Sequence, residues 1–118
     1  MKKYKRVFVP HPNFRFGTDN LRELADEIIY VCESPMFDDY ADPKHSKKFE
    51  GSINKTMQSF DPDHDLIADY GDAIILAMMV FWLAERFDGF DMARFSHKKN
   101  EYIVREIFTE RFLAGEAA

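Results

Sequence analysis

The chain has 118 residues, 46% hydrophobic and 31% charged, values that exclude a disordered chain and predict one globular domain over residues 1–118. The net charge is −5 and Lys and Arg are scattered along the sequence, which argues against a nucleic-acid partner because such binding needs clustered cations. The single cysteine, Cys32, excludes an intramolecular disulfide and is typical of a reduced, cytoplasmic protein with a buried thiol.

The N-terminal part of the chain predicts a strand, a helix and one ambiguous segment. "YKRVFVP" (4–10) is rich in β-branched and aromatic residues and ends at a proline, as strands often do. A helix is predicted to begin near Asn20, which can form a capping box with Glu23. Residues 28–32 either extend that helix or form a short strand, and the β-prone cluster "IIYVC" favours the strand.

The central part predicts a helix, a strand and a second helix. A helix over 46–60 is indicated by an apolar stripe at helical spacing, formed by Phe49, Ile53, Met57 and Phe60. "DLIADYG" (65–71) predicts a third strand in the middle of the sheet. Asp72 is expected to cap a third helix that runs from Ala73 to about Phe87.

The C-terminal part predicts a β-hairpin. Residues 90–97 and 101–108 alternate in polarity around a "KKN" turn, and 109–118 are expected to be a mobile tail. Strands that alternate with helices imply parallel pairing. The predicted fold class is therefore α/β, a two- or three-layer domain with a mainly parallel sheet, three helices and a C-terminal antiparallel hairpin.

The segment "AIILAMMVFWLA" (73–84) is apolar on every side. As a helix it is roughly 18 Å long, too short for a membrane core of about 30 Å, so a core helix and no membrane partner are predicted. The residues expected to face the sheet are Ile74, Ile75, Ala77, Met78, Phe81 and Trp82. Met79, Val80 and Leu83 would then face another helix or another subunit, which predicts a homo-oligomer, most simply a homodimer.

The order of the predicted strands and helices resembles that of a known class of small proteins. The chain opens with the strand "KRVFVP", a strand ending in "DYGD" leads into the hydrophobic helix, and a hairpin closes with Tyr102, Ile103, Val104, Arg105 and Ile107. This layout resembles small, mostly uncharacterised α/β proteins encoded by tailed bacteriophages. The resemblance implies a phage origin and a host-cytoplasm setting, and it implies no catalytic residue.

Two loops that follow predicted parallel strands are candidate ligand sites, because open parallel sheets bind ligands at the carboxyl ends of their strands. Their polar residues are His11, Asn13, Arg15 and Asp19 in the first loop, and Asp69, Gly71 and Asp72 in the second. If the two strands are neighbours, the loops could hold a divalent cation or an anion. The alternative is structural, with Asp72 as a helix cap, Gly71 in a tight turn and Asp69 solvated.

Acidic residues concentrate in the centre of the sequence. "DPDHD" (61–65) begins like a calcium loop but lacks its glycine and glutamate, so it predicts an acidic turn and no metal. The residues predicted to bind a protein partner are Phe14, Phe16, Phe37, Asp38, Asp39, Asp42, Asp61 and Asp63, and Asp65 extends the acidic array. Such an array could attract a basic partner as DNA phosphates do, and the alternative is an ordinary solvated surface.

These patterns favour a non-enzymatic phage accessory protein that binds a host or phage macromolecule, as a homo-oligomer and without a cofactor. The competing hypothesis is a small-ligand or nucleotide-binding protein that uses the loops after strands 1 and 3. A metal-dependent hydrolase is one form that such a protein could take. A third hypothesis is a structural subunit of a larger assembly. No serine-nucleophile elbow or zinc-protease helix occurs in the sequence.

Overall fold

The described residues, 3–12, 19–35 and 43–109 of a computed structural model, form eight regular elements. The strands are β1 (Tyr4–Val9), β2 (Ala25–Tyr30), β3 (Asp65–Ala68), β4 (Gly89–Ser96) and β5 (Glu101–Phe108). The helices are α1 (Asp19–Leu24), α2 (Pro43–Met57) and α3 (Ala73–Ala84).

The five strands form one sheet in the order β2-β1-β3-β4-β5. The pairs β1–β2, β1–β3 and β3–β4 are parallel, and β5 runs antiparallel to β4. The predicted fold class is confirmed: the sheet is mainly parallel, a hairpin ends it, and β3 is the middle strand as expected.

Helices cover both faces of the sheet, so the domain has three layers. Leu21 and Leu24 of α1 pack on one face, whereas Ile53 of α2 and Ile75 of α3 pack on the other. The chain moves from β1 to β2 toward one edge of the sheet and later from β2 through β3 to β4 toward the other edge. Right-handed crossovers that run in opposite directions place their helices on opposite faces, which accounts for this arrangement.

The segment 19–30 differs in detail from its prediction. A strand is present, but it spans Ala25–Tyr30 instead of 28–32, and α1 ends at Leu24. Asn20 and Glu23 lie inside α1, so the predicted capping box is wrong. Pairing with β1 sets the strand's position, from Tyr4 opposite Ala25 to Val9 opposite Tyr30, and this pairing overrides the weak β propensity of its first residues.

Helix α3 begins as predicted. Asp72 is its N-cap, and its carboxylate accepts hydrogen bonds from the backbone N–H groups of Ile74 at 2.8 Å and Ile75 at 3.2 Å. The last helical residue is Ala84, earlier than the predicted end near Phe87, although the Phe87 N–H still donates to the Leu83 carbonyl at 2.9 Å. The helix therefore loosens over its last turn before β4 begins.

The predicted orientation of α3 is wrong for most of its residues. Ile75 faces the sheet as predicted, but the other two fully buried residues are Met79 and Leu83, which were predicted to face away from it. The three recur every four positions and so lie on one side of the helix. Ile74 and Phe81, predicted to be buried against the sheet, are 49% and 67% exposed. The apolar residues surround the helix evenly, so the sequence offers no polar side from which to infer the rotation.

The ends of other elements show smaller differences. α2 spans Pro43–Met57 instead of 46–60, since proline is well accommodated in the first turn of a helix. β3 ends at Ala68, three residues earlier than predicted. Thr109, assigned to the mobile tail, is buried and its N–H donates to the Asp88 carbonyl at 2.9 Å, while residues 110–118 lie outside the described part.

Among the described residues, every helix is too short or too polar to cross a membrane.

Candidate functional site

The two loops predicted to bind a ligand do meet at one edge of the sheet. β1 and β3 are parallel neighbours, and the chain leaves them toward opposite faces. In doubly wound sheets this divergence opens a crevice at the carboxyl ends of the two strands, where ligands commonly bind. Three of the predicted residues, His11, Gly71 and Asp72, lie together at this crevice.

The His11 side chain fills the crevice. Its ring is 4% exposed, its Nε2 accepts a hydrogen bond from the Asp72 backbone N–H at 2.9 Å, and its Nδ1 lies 2.7 Å from the Pro12 carbonyl oxygen. These partners assign the neutral tautomer with the proton on Nδ1, because a carbonyl oxygen can only accept. Both ring nitrogens are thus used within the protein, and neither is left to ligate a metal or move a proton.

Gly71 makes this close approach possible. Its φ is +101°, a region that side chains rarely adopt, and a Cβ there would lie 2.4 Å from the His11 Nε2. The tight turn that the sequence analysis considered as the structural alternative is therefore what the geometry requires. The contact between His11 and Gly71 joins the loop after β1 to the loop after β3.

Cys32 lies near the same edge, after β2. Its thiol is 3% exposed, and burial together with the negative charge of Asp72 raises its pKa to about 11. A nucleophilic cysteine needs a thiolate at neutral pH, which a raised pKa opposes. The predicted buried thiol is confirmed, and its surroundings make it unreactive.

Two other predicted ligand residues, Asp69 and Asp19, belong to the described part of the chain, and both are exposed. Asp69 is exposed at the end of β3, where its backbone N–H donates to the Ala93 carbonyl at 2.8 Å. Asp19 is the first residue of α1 and is exposed. Asn13 and Arg15 lie outside the described residues. Within the described ranges, no three His, Cys, Asp or Glu residues are grouped so that they could hold a metal ion.

Of the predicted protein-binding residues, Asp61 and Asp63 are described. Asp61 accepts hydrogen bonds from the Asp63 N–H at 3.0 Å and pairs with the His64 Nδ1 at 2.8 Å, and these interactions lower its pKa. Asp61 is thus held by hydrogen bonds to two other residues of the same turn, Asp63 and His64. The other predicted residues, Phe14, Phe16, Phe37, Asp38, Asp39 and Asp42, lie outside the described part of the chain.

Asp65 does not extend the acidic surface, contrary to the prediction. It is completely buried, and its carboxylate receives the Arg6 Nε at 3.2 Å and Nη2 at 2.7 Å. It also accepts the Asp61 N–H at 2.8 Å. The alternation of β3 puts Asp65 on the face of the sheet that α2 and α3 cover, and Arg6 of β1 is the residue directly opposite. A buried carboxylate needs such partners to offset its lost hydration.

A groove lies between α2 and α3 that was not predicted from the sequence. It has a volume of about 550 Å³, and Ile53 of α2 and Met78 of α3 lie among its mostly apolar lining. Ile74 and Phe81 of α3 also line it, and both are substantially exposed. The unbroken apolar run of α3 was the signal, but its outward face could be identified only once the buried face was known.

Polar contacts define the far end of this groove. The Trp82 indole donates to the Asn54 Oδ1 at 3.1 Å and so links α3 to α2. The Arg86 guanidinium lies 3.9 Å from the centre of the Trp82 ring and donates to the Trp82 carbonyl at 3.0 Å. The cation over the ring fixes the indole in place. We call this apolar depression, which extends from Ile74 to Trp82, the α2–α3 groove. Its end at Trp82 is held in place by these contacts.

Comparison of the chain with models of known protein families, with curated proteins and with solved structures finds no significant match.

Proposed function

We propose that the protein is a non-enzymatic accessory protein that acts by binding another macromolecule, and that it does so as a homodimer joined through the α2–α3 groove. The single observation that carries the homodimer is the exposure of Phe81 and Ile74 in an apolar groove. The binding of another macromolecule is proposed from the aromatic and acidic residues of the sequence alone. The phage origin and the cytoplasm of the host as its setting are proposed from the sequence resemblance alone.

The exposed apolar surface supports association because leaving it in water is costly. Burying a large apolar side chain contributes roughly 1.5–3 kcal/mol. Phe81 is 67% exposed and Ile74 is 49% exposed, and both lie on the same side of α3. By contrast, both ring nitrogens of His11 at the carboxyl edge of the sheet already have partners inside the chain. An interface gains more at the groove than at that edge.

A second copy of the chain is the occupant that fits the groove. A two-fold axis beside Ala77 and Met78 would set the α3 helices of two copies antiparallel. Each residue before the axis in one copy would then lie opposite the residue that is equally far after the axis in the other copy. Ile74 lies three positions before Ala77 and Phe81 lies three positions after Met78. Phe81 of each copy therefore meets Ile74 of the other, and the small Ala77 lets the helices approach closely.

The experiment is sedimentation velocity of the purified protein over about 1–100 μM, the range in which a modest dimer dissociates. We expect a concentration-dependent dimer for the native chain and a monomer for Phe81→Glu. The matched control is Tyr30→Glu, which alters an exposed aromatic residue on the edge strand β2, and it should still dimerise. A native chain that stays monomeric, or a Phe81→Glu variant that dimerises normally, contradicts the proposal.

The competing ligand-binding hypothesis has one observation in its favour. His11, Gly71 and Asp72 do converge at the point of the sheet where ligands commonly bind. Its test is the melting temperature with and without Mg²⁺ or a nucleoside triphosphate, since a ligand that binds only the folded state raises it. Because the His11 ring occupies the crevice, we expect no shift. A clear rise with either ligand would favour this hypothesis over the binding protein.

A further inference from the structure

We propose that β5, an edge strand of the sheet, pairs antiparallel with β5 of a second copy, so that two five-stranded sheets join into one continuous sheet. This contact uses a different surface from the α2–α3 groove, so it does not depend on the groove dimer. A chain with both contacts builds assemblies larger than a dimer, because each symmetric contact joins copies whose other contact is still free.

Every second residue of β5 directs its backbone groups away from β4. The Thr109 N–H donates to the Asp88 carbonyl at 2.9 Å, in the register that also places Phe108 opposite Gly89. Hydrogen-bonded pairs alternate along an antiparallel ladder, so the odd-numbered residues of β5 bond to β4 and the even-numbered residues face outward. Tyr102 and Val104 therefore present backbone N–H and C=O groups at an edge where no further strand of the described chain pairs.

This outward edge is accessible to a hydrogen-bond donor. The Arg105 Nη1 donates to the Val104 carbonyl at 3.2 Å, and because that carbonyl points away from β4, an N–H of an added strand would donate to it from the same side. Edge strands are commonly protected by a proline or a bulge. The sequence of β5 contains no proline, and its pairing with β4 continues without a bulge.

Charged side chains also protect edge strands, but those of β5 are complementary to a second copy of themselves. Outward-facing residues bond to each other, so the two-fold axis passes through a residue of β5 and not between two residues. An axis at Ile103 places Glu101 of each copy opposite Arg105 of the other. No other axis at a residue of β5 sets two of its opposite charges across from each other, so charge selects this register.

Both charged residues lack a partner within the described chain. Glu101 and Arg105 are exposed, and neither forms an ion pair within residues 3–12, 19–35 and 43–109. The opposite edge of the sheet offers no such match, because the charged residues of β2 are Asp26 and Glu27, both acidic. Two copies of β2 would bring only like charges together, whereas two copies of β5 supply each charge with a partner.

The contact should be weaker than the groove dimer. It joins residues 101–105 of each copy, a small area beside a standard protein interface, and Arg105 must leave the Val104 carbonyl before the strands pair. We therefore expect a dissociation constant in the millimolar range, above the micromolar range over which the groove dimer is measured. A disulfide that traps the paired state is the suitable probe.

The experiment is oxidative cross-linking of Ile103→Cys in a chain that also carries Phe81→Glu, which removes the groove dimer, and Cys32→Ala, which leaves one thiol. On the axis, the two Cα atoms of residue 103 lie roughly 4.5 Å apart, within the range of a disulfide. The matched control is Val104→Cys, whose two Cα atoms are diagonal neighbours roughly 7–8 Å apart. We expect Ile103→Cys to cross-link at least about tenfold faster, although both side chains are half-buried and exposure alone predicts equal rates.

Charge reversal tests the register independently, with the cross-linking rate of Ile103→Cys as the readout. Arg105→Glu sets like charges opposite each other and should slow the reaction at least about fivefold. Glu101→Arg/Arg105→Glu exchanges the two charges and should restore the rate to within about twofold, which a role of either residue within its own chain does not explain. Lys47→Glu reverses an exposed cation on α2 and should leave the rate within about twofold.

Three results would overturn the inference. They are equal cross-linking of Ile103→Cys and Val104→Cys, an unchanged rate for Arg105→Glu, and no recovery in Glu101→Arg/Arg105→Glu. Because every one of these chains carries Phe81→Glu, their results do not depend on the α2–α3 groove. Failure of the groove dimer would instead appear in the sedimentation of the native chain.

Discussion

The carboxyl edge of the sheet and the outward face of α3 differ in how completely contacts within the chain satisfy their side chains. At the edge, the His11 ring has a partner at each nitrogen and packs against Gly71. On α3, Phe81 and Ile74 remain exposed. His11, which the sequence suggested as a ligand-binding residue, already has hydrogen-bond partners within the chain. Helix α3, which the sequence suggested as a core helix, leaves one apolar side exposed. A chemically rich sequence pattern is therefore weaker evidence for a site than an unsatisfied surface.

The largest effect on stability should come from a substitution that adds a side chain at Gly71. Gly71→Ala would place a Cβ 2.4 Å from the His11 Nε2 at a φ of +101°. We expect a loss of about 3 kcal/mol or more in the free energy of unfolding, because both strain and steric overlap contribute. The measurement is urea denaturation. Gly51→Ala is the matched control, since nothing lies within 4 Å of its position in α2, and it should stabilise the chain by up to about 1 kcal/mol.

Removal of the His11 ring should have the next largest effect. His11→Ala leaves the Asp72 N–H without its acceptor and opens a gap under Gly71, which we expect to cost about 2–3 kcal/mol in urea denaturation. His64→Ala is a suitable comparison, because that ring is exposed and its partner in the described part of the chain is Asp61. An equal effect of the two substitutions would mean that the crevice is not held by His11.

The pH dependence of stability should report two titratable groups at the same edge, the buried Cys32 and the half-buried Tyr102. Burial raises the pKa of Cys32 from 9.0 to about 11 and that of Tyr102 from 10.0 to about 12. The folded chain thus keeps protons that the unfolded chain releases, so the stabilisation is complete below pH 9 and is lost as the pH rises toward 12. Cys32→Ala should flatten the decline between pH 9 and 11 in urea denaturation. A stability that is constant over this range would contradict the burial of Cys32 and the partial burial of Tyr102.

The smallest effect on stability should come from the exposed face. Phe81→Ser changes a side chain that is 67% exposed, so at concentrations where the chain is monomeric it should shift the free energy of unfolding by less than about 0.5 kcal/mol. Leu83→Ser, two positions along the helix, changes a fully buried residue and should cost about 3 kcal/mol or more. Similar losses for the two would mean that the helix is rotated from the orientation described here.

Local patterns were sufficient to predict several elements. The alternation of 90–97 and 101–108 indicated the hairpin, and Asp72 before an apolar run indicated a capped helix, because both signals lie within a few residues. The position of β2 was not predictable in this way. Its first residues, Ala25 and Asp26, have weak β propensity, and only pairing with β1 makes them a strand.

The candidate sites depended on contacts between distant residues, which the sequence does not reveal. The His11 ring meets the Asp72 N–H across 61 positions. The outward face of α3 could not be predicted because apolar residues occupy all its sides, so the sheet alone decides which residues are buried.

Oxidative footprinting with hydroxyl radicals tests the central claim most directly, because one peptide from α3 contains both Met79 and Phe81. We predict slow oxidation of Met79 at every protein concentration, since the sheet covers it. Phe81 should be oxidised readily in dilute protein and become protected as the concentration rises and two copies associate. Rapid oxidation of Met79, or a Phe81 that is protected in the monomer, would contradict the account of α3 as a helix with one covered face and one open face.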